Sequence, residues 1–238
     1  MRLPEWIRTR SLPDQHEIKH LLRRHTLSTV CEEARCPNRG ECFAKPTATF
    51  MILGRNCTRN CGFCSVNSLS PEALDDNEPE NVAAAAEEMG LRYIVITSVT
   101  RDDLPDGGAG QFAKTIRAVR KRMSSVKIEV LTPDFEGDPD SLRTVLDAGP
   151  DVFNHNVETT ARLYPVVRRS ADYKRSLSVL ANSKEIASDI YTKSGFMLGL
   201  GETYDEAITI LKDLRKVDCD FVTIGQYLRP TKKNLPVV

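Results

Sequence analysis

Apolar strands alternating with helices from Thr47 to Leu228 predict an α/β fold built on a parallel sheet. Three observations carry that prediction. The strands are near-continuous β-branched and apolar runs, as in YIVITSV (93–99), which suits burial on both faces. The stretches between them have helical spacing, as in Phe112, Ile116 and Val119. The first strand runs into a cysteine triplet, where a dinucleotide-binding fold would place a glycine-rich loop.

In chain order, DQHEIKHLLRRH (Asp14–His25) reads as a helix and is followed by a loop rich in Cys, Pro and charge. Residues 1–46 therefore form an irregular N-terminal extension to the α/β unit of 47–238. TATFMILG (47–54) is a buried strand, and EPENVAAAAEEMG (78–90) is a helix closed by Gly90. YIVITSV (93–99), GQFAKTIRAVRKRM (110–123) and KIEVLTP (127–133) continue as strand, helix, strand. DPDSLRTVLDAG (138–149) is a helix with Asp138 as N-cap and Gly149 just past its end. DVFNHNVE (151–158) is a strand, ADYKRSLSVLANSKEIA (171–187) a helix and IYTKSGFMLGL (190–200) a strand. ETYDEAITILKDLRKV (202–217) and DFVTIGQYL (220–228) are the last helix and strand. Six strands and five intervening helices fit either an open doubly wound sheet or a barrel-like arc. The eight strands of a complete (βα)8 barrel are not present. In both closures function sits at the carboxyl ends of the strands, where the triplet falls.

Lys+Arg and Asp+Glu each number 33, so the chain lacks the basic excess of a general nucleic-acid binder. No apolar run approaches the roughly 20 residues that span a bilayer. MRLPEWIRTRSLPD has no apolar secretory core, and Glu5 and Asp14 interrupt it, so a cytoplasmic location is expected.

Six of the seven cysteines lie between positions 31 and 64. Clustered thiols in a reducing compartment point to metal or redox chemistry. Cys219 stands apart and reads as a small buried hydrophobe. One triplet is CEEARCPNRGEC, with Cys31, Cys36 and Cys42; the other is CTRNCGFC, with Cys57, Cys61 and Cys64. Structural zinc prefers four ligands in two short pairs, which neither triplet supplies, and no histidine is close to either. A thioredoxin-like Cys61-Gly-Phe-Cys64 would leave Cys57 without a role. An iron–sulfur cluster suits three thiolates better: three irons are held, and the fourth is an open Lewis-acidic site for a small molecule.

C-x3-C-x2-C after the first strand of a βα fold is the signature of radical S-adenosylmethionine enzymes. The strings CEEARCPNRGEC, VITSVTRDDLPDGGA, PDVFNHNVET, TKSGFMLGLGET and TIGQYLRPT extend the likeness over essentially the whole chain. Together they resemble the lipoyl synthase family. That resemblance implies a partial (βα)6 TIM-like barrel holding two [4Fe–4S] clusters and S-adenosyl-L-methionine. It implies that Cys57, Cys61 and Cys64 hold the cluster on which S-adenosylmethionine is cleaved to a 5′-deoxyadenosyl radical. That radical abstracts hydrogen at C6 and C8 of an octanoyl chain on a carrier lysine. Cys31, Cys36 and Cys42 match the triplet of an auxiliary cluster that donates the sulfur. The implied partners are octanoylated lipoyl carrier domains (2-oxoacid dehydrogenase E2 subunits and the glycine cleavage H protein) and a reductant such as ferredoxin or flavodoxin. Neither nucleic acid nor membrane is expected. The family takes a fourth auxiliary ligand from a serine in an Arg-Ser-Ser-Tyr string, which this sequence lacks. The expectation is a truncated or variant chain with weak full turnover.

Around that centre, strand alternation puts Asn154, Asn156 and Glu158 on one face, as a polar lining for S-adenosylmethionine or as a structural row. Thr97, Ser98, Arg101 and Asp102 lie at or past a strand end and read as cofactor contacts or a capped turn. Lys193 is a further cofactor-binding candidate, opposite Thr192 and Ser194 on its strand. The glycines of LGLGET allow close cofactor approach or close a loop on Glu202. His16 and His20 stand four apart beside Lys19, Arg23 and Arg24, a solvated face.

Overall fold

The structure is a computed structural model and describes residues 16–29 and 47–238. The helices are α1 His16–Arg24, α2 Glu78–Glu88, α3 Ala109–Arg122, α4 Pro139–Leu146, the single turn α5 Tyr164–Val167, α6 Tyr173–Ile186 and α7 Tyr204–Lys216. The strands are β1 Ser28–Thr29, β2 Thr47–Ile52, β3 Tyr93–Ser98, β4 Lys127–Leu131, β5 Val152–Asn154, β6 Tyr191–Leu198 and β7 Phe221–Gln226.

Strand order decides between the two closures. The sheet runs β1 to β7 in sequence order, with β2 to β7 all parallel to one another. A doubly wound sheet reverses its order at a switch point; this one never does. Successive helices also pack on one another, α2 on α3, α3 on α4 and α4 on α6. The arrangement is a TIM-like partial barrel of six parallel strands. The short β1, paired antiparallel to β2, was not anticipated from the sequence.

Alternation along the strands builds the core. Phe50, Ile52, Ile94, Ile96, Ile128, Val130 and Phe153 are fully buried in one cluster with Val82 and Ala86 of α2 and Phe112, Ile116 and Val119 of α3. Local chemistry sets the helix starts. Asp138 accepts from Ser141 N at 2.9 Å, Asp172 accepts from Arg175 N at 2.7 Å, and Thr203 with Glu206 forms a capping box.

The opposite sheet face is polar at depth. Glu129 accepts from Tyr93 Oη at 2.6 Å, Asn154 Nδ2 at 2.8 Å and Lys193 Nζ at 2.9 Å. A carboxylate 3% exposed is tolerable in a sheet only with such partners.

The expected strand 151–158 is corrected. Regular pairing ends at Asn154, and one extra residue enters the chain beyond it. His155 N donates to Lys193 O at 3.0 Å, so Val157 N should donate next to Gly195 O. Instead Glu158 N makes that bond at 2.9 Å, and Val157 N turns to Ser194 Oγ at 3.3 Å. Glu158 takes a left-handed φ of 63°, which marks a bulge.

Candidate active site

The cysteine loop leaves β2 at the carboxyl end of the arc. Cys57 N donates to Asn67 O at 2.8 Å, and Thr58 N donates to Thr100 O at 3.0 Å, just beyond β3. Gly62 N donates to Val167 O at 2.9 Å, and Leu235 N donates to Gly62 O at 3.0 Å. Asn234 Nδ2 donates to Cys64 O at 2.7 Å. Gly62 is required by this clamp: a β-carbon there would lie 2.8 Å from Leu235 Cδ1 and 3.2 Å from Val166 O.

Backbone amides point at the sulfurs. Cys57 Sγ accepts from Thr100 N at 3.3 Å and Arg59 N at 3.4 Å, and Cys64 Sγ accepts from Val66 N at 3.5 Å. Burial pushes the Cys61 thiol up and the Cys64 thiol up to about 11, and the thiols feel one another's charge. Among the described residues no three His, Cys, Asp or Glu side chains converge on a single ion. Cys31, Cys36 and Cys42 lie outside the described residues.

Arg59 sits inside the loop, its side chain 4% exposed. It donates to both oxygens of Asp102 at 2.7 and 2.8 Å and to Asp134 Oδ1 at 2.7 Å. Arg175 Nε completes the group, donating to Asp134 Oδ2 at 2.8 Å. Burial acts to raise the fully buried Asp134, but the bond and charge of Arg59 outweigh it and hold this carboxyl at about 2. The loop is thereby locked to the carboxyl ends of β3 and β4 and to α6.

The predicted polar residues fall into two groups. Asn154 and Lys193 are engaged with Glu129 deeper in the arc, so the Lys193 ammonium is already neutralised. Thr97 donates to Leu131 O at 2.8 Å and staples β3 to β4. Arg101 forks onto Asp103 and reaches Leu53 O, which holds the turn after β3. The second group faces the cysteines. Asn156 Nδ2 meets Glu158 Oε1 at 3.2 Å, brought there by the bulge and not by alternation. Burial pushes the Glu158 carboxyl up, against the charge of Arg168. The glycine loop after β6 closes on Glu202, which accepts from Gly199 N and Leu200 N.

Several buried polar atoms at this end have no partner in the protein: Ser98 Oγ, Asn154 Oδ1, Asn156 Oδ1, His155 Nε2 and Arg168 Nε. Buried polar groups are normally satisfied. Gly195 leaves room beside one of them, since a β-carbon there would meet Asn156 Oδ1 at 2.9 Å. Three thiols beside such open donors and acceptors fit an iron–sulfur cluster with a polar organic ligand.

Arg168 escaped the sequence reading. It is 8% exposed, donates to Asn156 O at 2.9 Å and Tyr164 Oη at 3.1 Å, and acts electrostatically on Cys61 and Glu158. In the sequence it is one of two adjacent arginines, with nothing to mark it as buried. Arg59 lay in plain view, but its partners are 43 and 75 residues away.

His155 is buried, and its Nδ1 lies 2.9 Å from Thr132 O. Burial first, then the charge of Arg168, holds its pKa down at about 4; Arg59 adds to this, and Asp134 and the Thr132 bond oppose it. Below pH 6.5 the unfolded chain takes up a proton that the folded chain refuses. Stability is therefore expected to fall between about pH 6.5 and pH 4, by roughly 3 kcal/mol in total. Urea unfolding across that window, with His155→Gln flattening the profile, checks this; an unchanged profile refutes it.

The profile of the Radical SAM superfamily matches residues 51–214. A lipoyl synthase from Caldanaerobacter subterraneus subsp. tengcongensis is 56% identical over 238 residues, all of this chain and 84% of that protein. The chain belongs to the lipoyl synthase family. A second member, from Aquifex aeolicus, is 55% identical over 94% of this chain and 81% of its own length. Among solved structures, methylornithine synthase matches with a TM-score of 0.62 at 15% identity, over 91% of this chain and 61% of that one. Streptococcus suis SuiB bound to S-adenosylmethionine matches with a TM-score of 0.64 at 10% identity, over 93% of this chain and 46% of that one. These two share the fold of this chain. Among the described residues no helix is long and apolar enough to cross a membrane.

Proposed function

We propose that this chain inserts two sulfur atoms, at C6 and C8, into an octanoyl group carried on a lysine of a lipoyl carrier domain. The observation that carries this reading is the CTRNCGFC loop, clamped at the carboxyl end of a parallel partial barrel beside unpartnered buried polar atoms. The identity to lipoyl synthases over the whole chain supports it.

In this reading Cys57, Cys61 and Cys64 hold one [4Fe–4S] cluster, and Cys31, Cys36 and Cys42 of the N-terminal extension hold a second. The first cluster with S-adenosylmethionine supplies, when bound, the one-electron chemistry that an unactivated C–H bond demands. The residues of the chain do the rest. Asn156 and Glu158 offer an acceptor and a carboxylate to the polar groups of the cofactor. Arg168 supplies a buried cation beside them, and Asn154 and Ser98 add open oxygens. Arg59 keeps the thiols in register with that lining. The electron donor is a small reductant such as ferredoxin or flavodoxin, and the carriers are E2 subunits or H protein.

The test is anaerobic reconstitution with iron and sulfide, reduction, and incubation with S-adenosylmethionine and an octanoylated carrier domain. Lipoyl-lysine on the carrier, read by mass spectrometry, is the expected product. Cleavage of S-adenosylmethionine with no sulfur on the carrier would overturn the substrate assignment.

A further inference from the structure

The chain as a whole carries no net charge, yet the wall of the site beside the cysteine loop is strongly biased. Two short segments flank Gly62: residues 159–171, bonded to it through Val167 O, and residues 221–238, bonded to it through Leu235 N. Neither contains an Asp or a Glu, and between them they hold Arg162, Arg168, Arg169, Arg229, Lys232 and Lys233. Arg162 is paired with Glu206, and Arg168 is buried in the site. Arg169, Lys232 and Lys233 are exposed and form no ion pair among the described residues. Arg229 uses its guanidinium on two carbonyls, Asn234 O at 2.8 Å and Lys232 O at 2.5 Å, so its charge is also uncompensated. Those bonds stiffen the turn carrying the two lysines, and Asn234 fastens the same turn to Cys64. Val166, 49% exposed, adds an apolar spot to the first segment.

Exposed charge on a rigid turn one residue from a cluster ligand's anchor is placed to meet whatever protein brings the reacting lysine to the mouth. We infer that Arg169, Lys232 and Lys233 form a docking surface for an acidic segment of that protein, flanking its octanoyl-lysine. The inference rests on the lipoyl synthase reading and names the chemistry of its macromolecular partner. Rim charges of this kind steer encounter and fix orientation, and their effect is screened by salt.

The experiment measures binding of the full chain to an octanoylated carrier domain that has acidic residues beside its lysine. Wild-type affinity is expected to fall as salt rises from about 50 to about 300 mM. The double variant Lys232→Glu with Lys233→Glu is expected to bind about tenfold or more weakly, and Arg169→Glu to follow it. Lys232→Gln with Lys233→Gln is expected to fall between. Lys121→Glu, on the exposed side of α3, is expected to bind as wild type. Salt-independent binding, or equal affinity of the Glu double variant, overturns the docking surface. Cleavage of S-adenosylmethionine without carrier, measured in parallel, is expected to be unchanged in all four variants. Its absence from the wild type would overturn the enzymatic reading instead, with the binding data still judging the surface.

Discussion

Replacing Arg59 by methionine is expected to lower the stability of the folded chain by about 3–5 kcal/mol, the usual cost of removing one partner from a buried ion pair. The size follows from what remains behind. Asp134 is fully buried and would keep one guanidinium, Arg175, and the amide of Glu136, and Asp102 would lose both of its guanidinium bonds. The acid limb of stability should move as well. Asp134 has a folded pKa of about 2, below its ordinary 3.8, so its contribution is complete above pH 3.8 and is lost as pH falls toward 2. In Arg59→Met that loss should start at higher pH. Urea unfolding at neutral and acid pH measures both effects. A change under 1 kcal/mol would show that the charge group is a solvated surface feature, contrary to its burial.

Cys61→Ala is expected to reduce cleavage of S-adenosylmethionine to background, with the fold retained. Cys61 is half-buried; among the described residues its sulfur makes no hydrogen bond that holds the loop, and its carbonyl oxygen accepts from Cys64 N. Alanine keeps that carbonyl. The loss would therefore be chemical: with two thiolates in place of three, one iron of the proposed cluster has no protein ligand. Iron content and the electron paramagnetic resonance of the reduced protein, taken with product counting, separate a missing cluster from a misfolded chain. Cleavage at the wild-type rate would refute the ligand assignment for this triplet.

The elements were legible where their causes are local. The helix from Asp138 announces itself through its capping residue and begins where that cap places it; the last helix was legible from its spacing, but it starts at Tyr204 behind a Thr203 cap and not at Glu202. The apolar strands were equally readable, because both faces are buried, as at Phe50, Met51 and Ile52, which leaves a near-continuous pattern. The C-x3-C-x2-C loop was readable as chemistry because its three thiols are eight residues end to end. What stayed hidden depends on distant partners. Lys193 looked available as a cofactor contact, but Glu129, 64 residues earlier, occupies it. Alternation put Asn154, Asn156 and Glu158 in a single row; the extra residue beyond His155 breaks that row. Nothing in NHNVE signals the insertion, because it is fixed by Ser194 and Gly195 on the neighbouring strand.

The clamp on the cysteine loop bears on how the protein matures. In small zinc domains the metal organises the ligands, and without it the chain is unfolded. Here the loop is bonded to the segments just after β3 and β4, to Val167 of α5 and to the Asn234 turn by protein atoms alone. Folding can precede iron, and delivery of the cluster becomes a docking event onto a finished receptacle. Empty protein should therefore survive storage, accept its cluster late, and give it up to oxidation without losing its shape.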